Sequence, residues 1–381
     1  MTARNVPGGA LAVVKDGRLV YARGYGWANR EMQIPATPSS LFRVASLSKP
    51  VTGVATLKLV EEGKLSLDDR AFDIVRATAV LDGDRKPDPR LAQITVRQML
   101  QHTGGWDRDK SFDPMFRPKL IAEKVGAPSP ADPPAVIRYM LGQPLDFDPG
   151  TRYAYSNFGY CVLGRIIEKI SGRPYEKFVQ EQVLAPCGAK RMRLGRSLDG
   201  QQAPGEVRYY MVGDEMGDNI FPDGPRRVLW PYGGFNLEAM DAHGGWIASA
   251  LDLARFAARL DNPARSGVLK SETFETMYAP PPPPASRKPD GALEDRFYSC
   301  GWMTRPGGNG ARGTYWHSGS LPGTATFLTR RADRLSWVAL FNQRSASKEL
   351  PDSAIDTALH HAANSIVEWP DEDLFANPAY A

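Results

Sequence analysis

The chain begins and ends with strand-like segments, and helix-like segments lie between them. Residues 10–14 and 18–22 flank Asp16-Gly17, a dipeptide typical of hairpin turns. Four more strand-like segments lie in the last third of the chain, at residues 299–305, 314–316, 324–329 and 335–342. Segments from the two ends can share one sheet only if the middle of the chain folds beside that sheet. The sequence therefore predicts an α+β fold with an antiparallel sheet flanked by helices.

This pattern predicts one domain over residues 1–381 with two parts. Residues 5–65 and 242–375 would form an α/β subdomain around the sheet, and residues 66–241 a mainly helical subdomain. Within the second part, residues 201–241 form a loop rich in aromatic residues and glycine. Because such loops often cover a site, we expect this loop to select the substrate and its removal to change substrate preference more than stability. A plain surface insertion is the alternative.

The composition excludes several classes of protein. A hydrophobic content of 42%, a charged content of 24% and a net charge of +4 are ordinary for a globular protein. No basic block with interleaved aromatic residues occurs, so we expect no nucleic-acid partner. Cys161, Cys187 and Cys300 are too few and too far apart for a disulfide framework or a zinc site, which leaves free thiols or buried apolar residues. No His-Glu-x-x-His pattern occurs either, so we expect no metal.

The ends of the chain say little about its compartment. No apolar run reaches the length of a transmembrane segment, and the N-terminus lacks the regions of a signal peptide. The strand-like pattern begins almost at Met1, which suggests that an upstream segment with an export signal is absent from this chain. Cytoplasmic, periplasmic and secreted locations all stay open.

A Ser-x-x-Lys pattern runs from Ser46 to Lys49 and opens a long apolar segment that ends at Gly63. We expect a buried helix that begins at Ser46, with Pro50 in its first turn and Gly63 at its C-terminal cap. Residues three apart share a helix face, so the Ser46 hydroxyl and the Lys49 amine would lie side by side. A serine becomes a nucleophile when a neighbouring base takes its proton.

The same pattern recurs from Ser345 to Lys348, where no apolar segment follows. A solvated lysine beside a capping serine explains either copy equally well when the pattern is considered alone. Only the copy at Ser46 follows the hairpin and begins an apolar segment, and this context favours Ser46.

Two further patterns can contribute to the same chemistry. Tyr155-Ser156-Asn157 is the only Tyr-x-Asn in the chain. A tyrosine acts as a base near neutral pH only if a cation such as Lys49 stabilises its phenolate, and a turn with a packed ring is the alternative. His317 begins a His-x-Gly pattern on a strand-like segment, where Gly319 would let a substrate approach the backbone and the following N–H could bind an oxyanion. A lone histidine is more often structural.

In this order, the three patterns resemble the motifs of the serine β-lactamase and penicillin-binding-protein family. The resemblance is greatest to the branch of class C β-lactamases, D-amino-acid peptidases and β-lactamase-like carboxylesterases. It extends over most of the chain, with similar segments at residues 94–105, 147–164, 244–256 and 317–323. The resemblance implies a β-lactamase/transpeptidase-like fold.

The resemblance also implies roles for the residues of the first two motifs. Ser46 would be the acylated nucleophile, and Lys49 and Tyr155 would exchange its proton and later activate water. Asn157 would bind the acyl side of the substrate or orient Lys49. The reaction would be a two-step acyl transfer that uses neither metal nor cofactor.

The third motif would bind the substrate. The N–H groups of Ser46 and Ser320 would form the oxyanion hole, and His317 would line the pocket near the leaving group, with Gly319 beside the substrate. Class C β-lactamases have lysine where this chain has His317. A mostly neutral imidazole offers less charge to a substrate carboxylate, although some D-Ala-D-Ala peptidases of the family also have histidine there.

These features predict a serine hydrolase that acts on a small-molecule ester or amide. Carboxylesterase activity on short acyl esters is our leading interpretation. The alternative is a D-amino-acid peptidase or amidase, or a DD-carboxypeptidase, with weak β-lactamase activity. A binding protein without turnover is less favoured, because Ser46, Lys49, Tyr155 and Asn157 are all present. The chain has no Gly-x-Ser-x-Gly motif, so an esterase would depend on Ser46.

Overall fold

The computed structural model describes residues 5–81, 83, 86–213, 215–308, 311–345 and 353–380. The second Ser-x-x-Lys copy lies outside these residues, apart from Ser345. The strands are β1 (Gly8–Lys15), β2 (Arg18–Asn29), β3 (Ile34–Pro35), β4 (Phe42–Arg43), β5 (Arg193–Leu194), β6 (Met216–Asp218), β7 (Arg227–Leu229), β8 (Trp246–Ala248), β9 (Phe297–Tyr298), β10 (Met303–Arg305), β11 (Thr314–Leu321), β12 (Thr324–Arg330) and β13 (Leu335–Phe341). The helices are α1 (Ser48–Glu61), α2 (Ala71–Val75), α3 (Val96–Leu100), α4 (Pro118–Val125), α5 (Pro133–Met140), α6 (Asn157–Ser171), α7 (Tyr175–Val179), α8 (Ala185–Cys187), α9 (Ala250–Asp261), α10 (Ser271–Tyr278) and α11 (Ser353–Asn364).

Both ends of the chain contribute to one eight-stranded sheet. Its strands lie in the order β3–β2–β1–β13–β12–β11–β10–β9, and each is antiparallel to its neighbours. The N-terminal hairpin joins the C-terminal strands where Ala12 of β1 lies opposite Val338 of β13. The predicted α+β fold with an antiparallel sheet and flanking helices is confirmed.

The sheet is covered on both faces. Its central strands carry apolar side chains at successive positions, so apolar side chains point to both faces and have to be buried on each. Ala10, Ala12 and Val14 of β1 point into the main core, where α9 packs, whereas Val13 points to the other face. On that face α11 covers the sheet, and Leu359 packs against the cluster that contains Val13. The central strands β12 and β13 are consequently buried along their whole length.

One predicted strand is wrong. Residues 299–305 form no continuous strand, because the chain turns between β9 and β10. At this turn Gly301 adopts φ +92°, and a Cβ there would lie 2.9 Å from the Lys49 carbonyl oxygen and 3.0 Å from the Pro50 Cα. The turn therefore lies directly against the first residues of α1.

Helix α1 runs through the centre of the molecule. Eleven of its fourteen residues are buried, and it packs on α6 and α10. The prediction of a buried helix is confirmed, and Gly63 adopts φ +67° just after it. Helices α2 to α8 all lie within residues 66–241. The division into two subdomains stays a prediction.

The aromatic loop of residues 201–241 holds part of the core. Arg43 is fully buried, and its guanidinium carbon lies 4.4 Å from the ring centre of Tyr209 and 5.7 Å from those of Tyr232 and Phe235. Rings that surround a buried cation in this way stabilise the fold. The expectation that removal of the loop changes substrate preference more than stability stays a prediction, and these contacts weigh against it.

The three cysteines are all buried, and none forms a disulfide. In the part of the chain that the structure describes, no helix is both long enough and apolar enough to cross a membrane. No group of three or more histidine, cysteine, aspartate or glutamate residues that could hold a metal ion occurs among the same residues.

Candidate active site

Ser46 lies in a short 3-10 turn, Ala45–Leu47, that joins β4 to α1. The α-helix begins at Ser48, so the predicted start at Ser46 is wrong by two residues. Ala45 adopts φ +49°, a left-handed conformation that costs on the order of 1–2 kcal/mol in a residue with a Cβ. This sharp turn keeps the half-buried Ser46 side chain outside the regular helix, beside its N-terminus.

Hydrogen bonds from two strands fix this turn. The Val44 N–H donates to the Trp246 carbonyl of β8, at 2.9 Å. The Thr326 hydroxyl of β12 donates to the Val44 carbonyl, also at 2.9 Å. From the helix side, the Ser48 hydroxyl donates to the Ala45 carbonyl at 2.7 Å. The position of Ser46 is therefore set by strands β8 and β12 as well as by α1.

Lys49 is fully buried, and its Nζ contacts three oxygen atoms. The nitrogen lies 3.1 Å from Ser46 Oγ, 2.7 Å from Asn157 Oδ1 and 2.9 Å from the His243 carbonyl oxygen. Burial lowers the pKa of Lys49 well below its ordinary value of 10.5, because the charged form loses its hydration. The predicted proximity of Ser46 and Lys49 is confirmed, whereas the sequence analysis missed the His243 carbonyl.

Tyr155 is the second side chain that contacts Ser46. Its hydroxyl donates to Ser46 Oγ at 2.8 Å, and Lys49 Nζ lies 4.7 Å from the centre of its ring. Burial raises the pKa of Tyr155 above its ordinary value of 10.0. Burial thus favours a neutral amine beside a neutral phenol rather than the expected phenolate held by a lysine cation.

His102 holds the segment that carries Tyr155. Its Nδ1 accepts the N–H of Ser156 at 3.2 Å, and its carbonyl accepts the N–H of Ala154 at 2.9 Å. Asn157 then begins α6, whose first turn is capped by the Ser156 hydroxyl. Residues 94–105 therefore hold the segment with the Tyr-x-Asn pattern in place through His102.

Two charged residues that the sequence analysis missed lie behind Asn157. The Asn157 Nδ2 donates to Asp113 Oδ2 at 2.5 Å. The Arg108 guanidinium lies 3.9 Å from Asp113 Oδ2 and 4.5 Å from the centre of the Tyr155 ring. Both residues follow soon after His102 in a run of charged side chains, and this run was the available signal.

His317 is buried on β11, and both of its ring nitrogens are engaged within the protein. The Ser318 carbonyl can only accept, so the proton lies on Nδ1, at 2.7 Å from that oxygen. The Nε2 then accepts the hydroxyl proton of Tyr298 at 2.9 Å. Burial lowers the pKa of His317 to about 3, so the ring is neutral at physiological pH. The expectation of a neutral imidazole is supported, and Tyr298 is its unpredicted partner.

The edge of β11 beyond His317 is open toward the site. Its ladder with β10 ends at Trp316, opposite Met303. Gly319 follows on this edge, and a Cβ there would lie 2.4 Å from the Val44 carbonyl oxygen and 2.3 Å from Thr326 Oγ1. Gly319 thus lets the strand pack against the turn that carries Ser46. The oxyanion hole from the N–H groups of Ser46 and Ser320, and a contact of Gly319 with substrate, stay predictions.

Replacement of Gly319 by alanine is expected to reduce kcat/KM by about 100-fold, since displacement of a nucleophile by about an ångström costs that much. The new methyl group must push β11 away from the Ser46 turn. Steady-state kinetics on any turned-over substrate would measure the loss. Gly308→Ala is a matched control, because a Cβ at Gly308 meets nothing within 4 Å. Equal activity of the two variants would contradict the prediction.

Comparisons with known proteins identify the family of this chain. The family model described as Beta-lactamase matches residues 1–362. A putative D-alanyl-D-alanine carboxypeptidase of Escherichia coli K12 is 26% identical over 341 residues, which cover 84% of this chain and 74% of that protein.

Two solved structures show the same fold. The octameric penicillin-binding protein homologue from Pyrococcus abyssi superposes with a TM-score of 0.69 at 27% identity, over 96% of this chain and 75% of that chain. EstCE1, described as a hydrolase with promiscuous acyltransferase activity, superposes with a TM-score of 0.69 at 21% identity, over 94% of each chain. The β-lactamase/transpeptidase-like fold is thereby confirmed. Because the family model spans nearly the whole chain, the protein belongs to the Beta-lactamase family and is a serine hydrolase.

Proposed function

We propose that this hydrolase cleaves carboxylic esters of short acyl groups through an acyl-enzyme on Ser46. The observation that carries the proposal is the state of His317. Its ring is neutral, and its two nitrogens are already bonded to Ser318 and Tyr298. It therefore offers neither a cation nor a free donor to a substrate carboxylate on this side of the site. An ester with a neutral alcohol leaving group requires neither.

The hydrogen bonds of Lys49 support its role as the base. A neutral amine has two N–H donors and one lone pair. Asn157 Oδ1 and the His243 carbonyl can take the two donors, at 2.7 and 2.9 Å. The remaining direction leads to Ser46 Oγ, at 3.1 Å. The lone pair would therefore face the proton that has to be removed, and the lowered pKa of Lys49 keeps that lone pair available.

The proposed reaction has two balanced steps. Ser46 Oγ attacks the acyl carbon, its proton passes to Lys49 Nζ, and Tyr155 donates a proton to the departing alcohol oxygen as the acyl–oxygen bond breaks. The protonated Lys49 then restores the phenol of Tyr155. A water molecule next attacks the acyl group on Ser46 and gives a proton to Lys49, which passes it to Ser46 Oγ as the acid leaves. The net reaction converts ester and water to acid and alcohol.

A D-amino-acid peptidase or amidase is the second candidate function. The similarity to the putative D-alanyl-D-alanine carboxypeptidase over 84% of this chain favours it. The neutral His317 weighs against the hydrolysis of a peptide that ends in a free carboxylate, but a D-amino-acid amide has no such group. A binding protein without turnover would have no need of the contacts that join Lys49 and Tyr155 to Ser46.

Turnover of matched substrates would test the proposal. We expect kcat/KM for p-nitrophenyl butyrate to exceed that for D-alanine p-nitroanilide, a D-alanyl-D-alanine peptide and a penicillin by at least about tenfold. Mass spectrometry of quenched samples should detect one butyryl group on Ser46. Longer acyl chains should be hydrolysed more slowly. A long-lived penicilloyl adduct, or faster turnover of the D-amino-acid substrates, would contradict the ester proposal and support the second candidate.

A further inference from the structure

We infer that Asp113 and Arg108 are positioning residues that orient Lys49 through Asn157. They form a chain of contacts from Arg108 to Asp113, then to Asn157 and to the Lys49 amine. The inference rests on the proposed function in one respect, namely that Lys49 acts as the base for Ser46. It concerns activation of the serine and is independent of which acyl substrate the protein prefers.

The contacts of Asp113 fix the orientation of the Asn157 amide. Both oxygens of the Asp113 carboxylate act as acceptors: Oδ2 from Asn157 Nδ2 at 2.5 Å, and Oδ1 from the Met115 N–H at 3.1 Å. An ionised carboxylate can only accept, so the amino end of the Asn157 amide has to face Asp113. The oxygen end must then face Lys49, at 2.7 Å. Lys49 consequently meets an acceptor in this direction and uses an N–H there.

Arg108 keeps the carboxylate in this role. Burial raises the pKa of Asp113, while the donors of Asn157 and Met115 and the charge of Arg108 oppose the rise. The guanidinium lies 3.9 Å from Asp113 Oδ2 and above the ring of Tyr155, so the cation faces the carboxylate and the site together. A second cation at Lys49 is disfavoured by the same charge. Arg108 thus favours an ionised Asp113 and a neutral Lys49 at once.

Asp113 and Arg108 are the charged groups near Lys49 that can set its protonation. The other titratable groups that face Lys49 are two tyrosines and three histidines, namely Tyr155, Tyr160, His102, His243 and His317. Burial raises the pKa of both tyrosines and lowers the pKa of all three histidines. All five groups are therefore neutral at pH 7. Removal of Arg108 and removal of Asp113 must shift the pKa of Lys49 in opposite directions.

The rate at which a fluorophosphonate labels Ser46, measured against pH, tests the inference. In this reaction Ser46 Oγ displaces fluoride from phosphorus, and Lys49 accepts the hydroxyl proton. The wild-type rate should fall as the pH drops through the pKa of Lys49, because an ammonium has no lone pair. We call this fall in rate at low pH the acid limb. Arg108→Gln should move the acid limb to higher pH by about one unit, and Asp113→Asn should move it to lower pH by a similar amount.

Two further results are expected if Asp113 also orients Asn157. The plateau rate of Asp113→Asn should fall at least about tenfold, since the amide of Asn157 is no longer held. Arg108→Lys keeps the charge and should leave the acid limb at its wild-type position. Arg173→Gln and Glu181→Gln alter an exposed ion pair of 2.7 Å and should change neither limb nor plateau. If Asp113→Asn does not fold, the contrast between Arg108→Gln and Arg108→Lys carries the test.

The inference is overturned if the acid limb stays in place in Arg108→Gln, or if the two neutral variants shift it in the same direction. An unchanged plateau in Asp113→Asn would overturn the orienting role of Asp113. Labelling does not depend on the ester, so wild-type protein that is labelled but turns over no ester contradicts only the substrate proposal. Wild-type protein that is not labelled at Ser46 contradicts both.

Discussion

Replacement of Ser46 by alanine is expected to lower kcat on p-nitrophenyl butyrate by about 10⁴- to 10⁶-fold, as in other enzymes that lose their nucleophile. The variant should carry no acyl group after exposure to substrate. The neighbouring Ser48 is not expected to replace Ser46, because its hydroxyl already donates to the Ala45 carbonyl at 2.7 Å. Turnover assays and mass spectrometry of the intact protein would measure both effects.

Ser345→Ala is the matched control, because Ser345 begins the second Ser-x-x-Lys copy. Its activity should equal that of the wild type. A large loss in Ser345→Ala, or an acyl group that persists in Ser46→Ala, would show that the nucleophile was assigned to the wrong serine. Thermal unfolding of both variants would establish that each is folded.

Replacement of Lys49 by methionine is expected to lower kcat/KM by about 10³-fold or more, because the base that activates Ser46 is lost. The side chains have similar lengths, so the packing of α1 should be kept. Lys49→Arg keeps a positive charge but has no titratable lone pair, and it should be as inactive as Lys49→Met. Activity retained by the arginine variant would contradict the role of Lys49 as a base.

Lys49→Met should also change how stability depends on pH. The pKa of Lys49 is lowered in the folded state, so between that pKa and about 10.5 the unfolded chain binds one more proton than the folded protein. The free energy of unfolding of the wild type should therefore rise with pH in this window, relative to Lys49→Met, by about 1 kcal/mol per pH unit. Denaturant titrations of both proteins at several pH values would give this difference. Parallel curves would mean that Lys49 stays an ammonium in the folded protein.

The sequence predicted the residues whose relation is local. Ser46 and Lys49 are three residues apart beside a helix, and Tyr155 and Asn157 flank the residue that caps α6. Such spacings determine which side chains share a face, whatever the rest of the fold. The exact start of α1 was not predicted, because Ala45 adopts a left-handed conformation that the surrounding strands impose.

Residues that act across long sequence distances were missed. Asp113 lies 44 residues from Asn157, and the His243 carbonyl lies 194 residues from Lys49. No sequence motif marks either group, because an aspartate or a backbone carbonyl becomes part of a site only when the fold brings it next to a buried partner. His317 was identified from its motif. Its hydrogen bond to Tyr298 was not predicted, because the turn between β9 and β10 was read as a continuous strand.

Periodicity, spacing and order along the chain were enough to predict the fold class, the family resemblance and the two side chains that contact Ser46, those of Lys49 and Tyr155. The roles of those side chains in turnover stay predictions. Which of these groups are charged depends on the tertiary structure. Burial removes the hydration that an ammonium, a phenolate or an imidazolium needs, and burial is set by segments from the whole chain. The same packing placed Arg108 and Asp113 where their charges bear on Lys49.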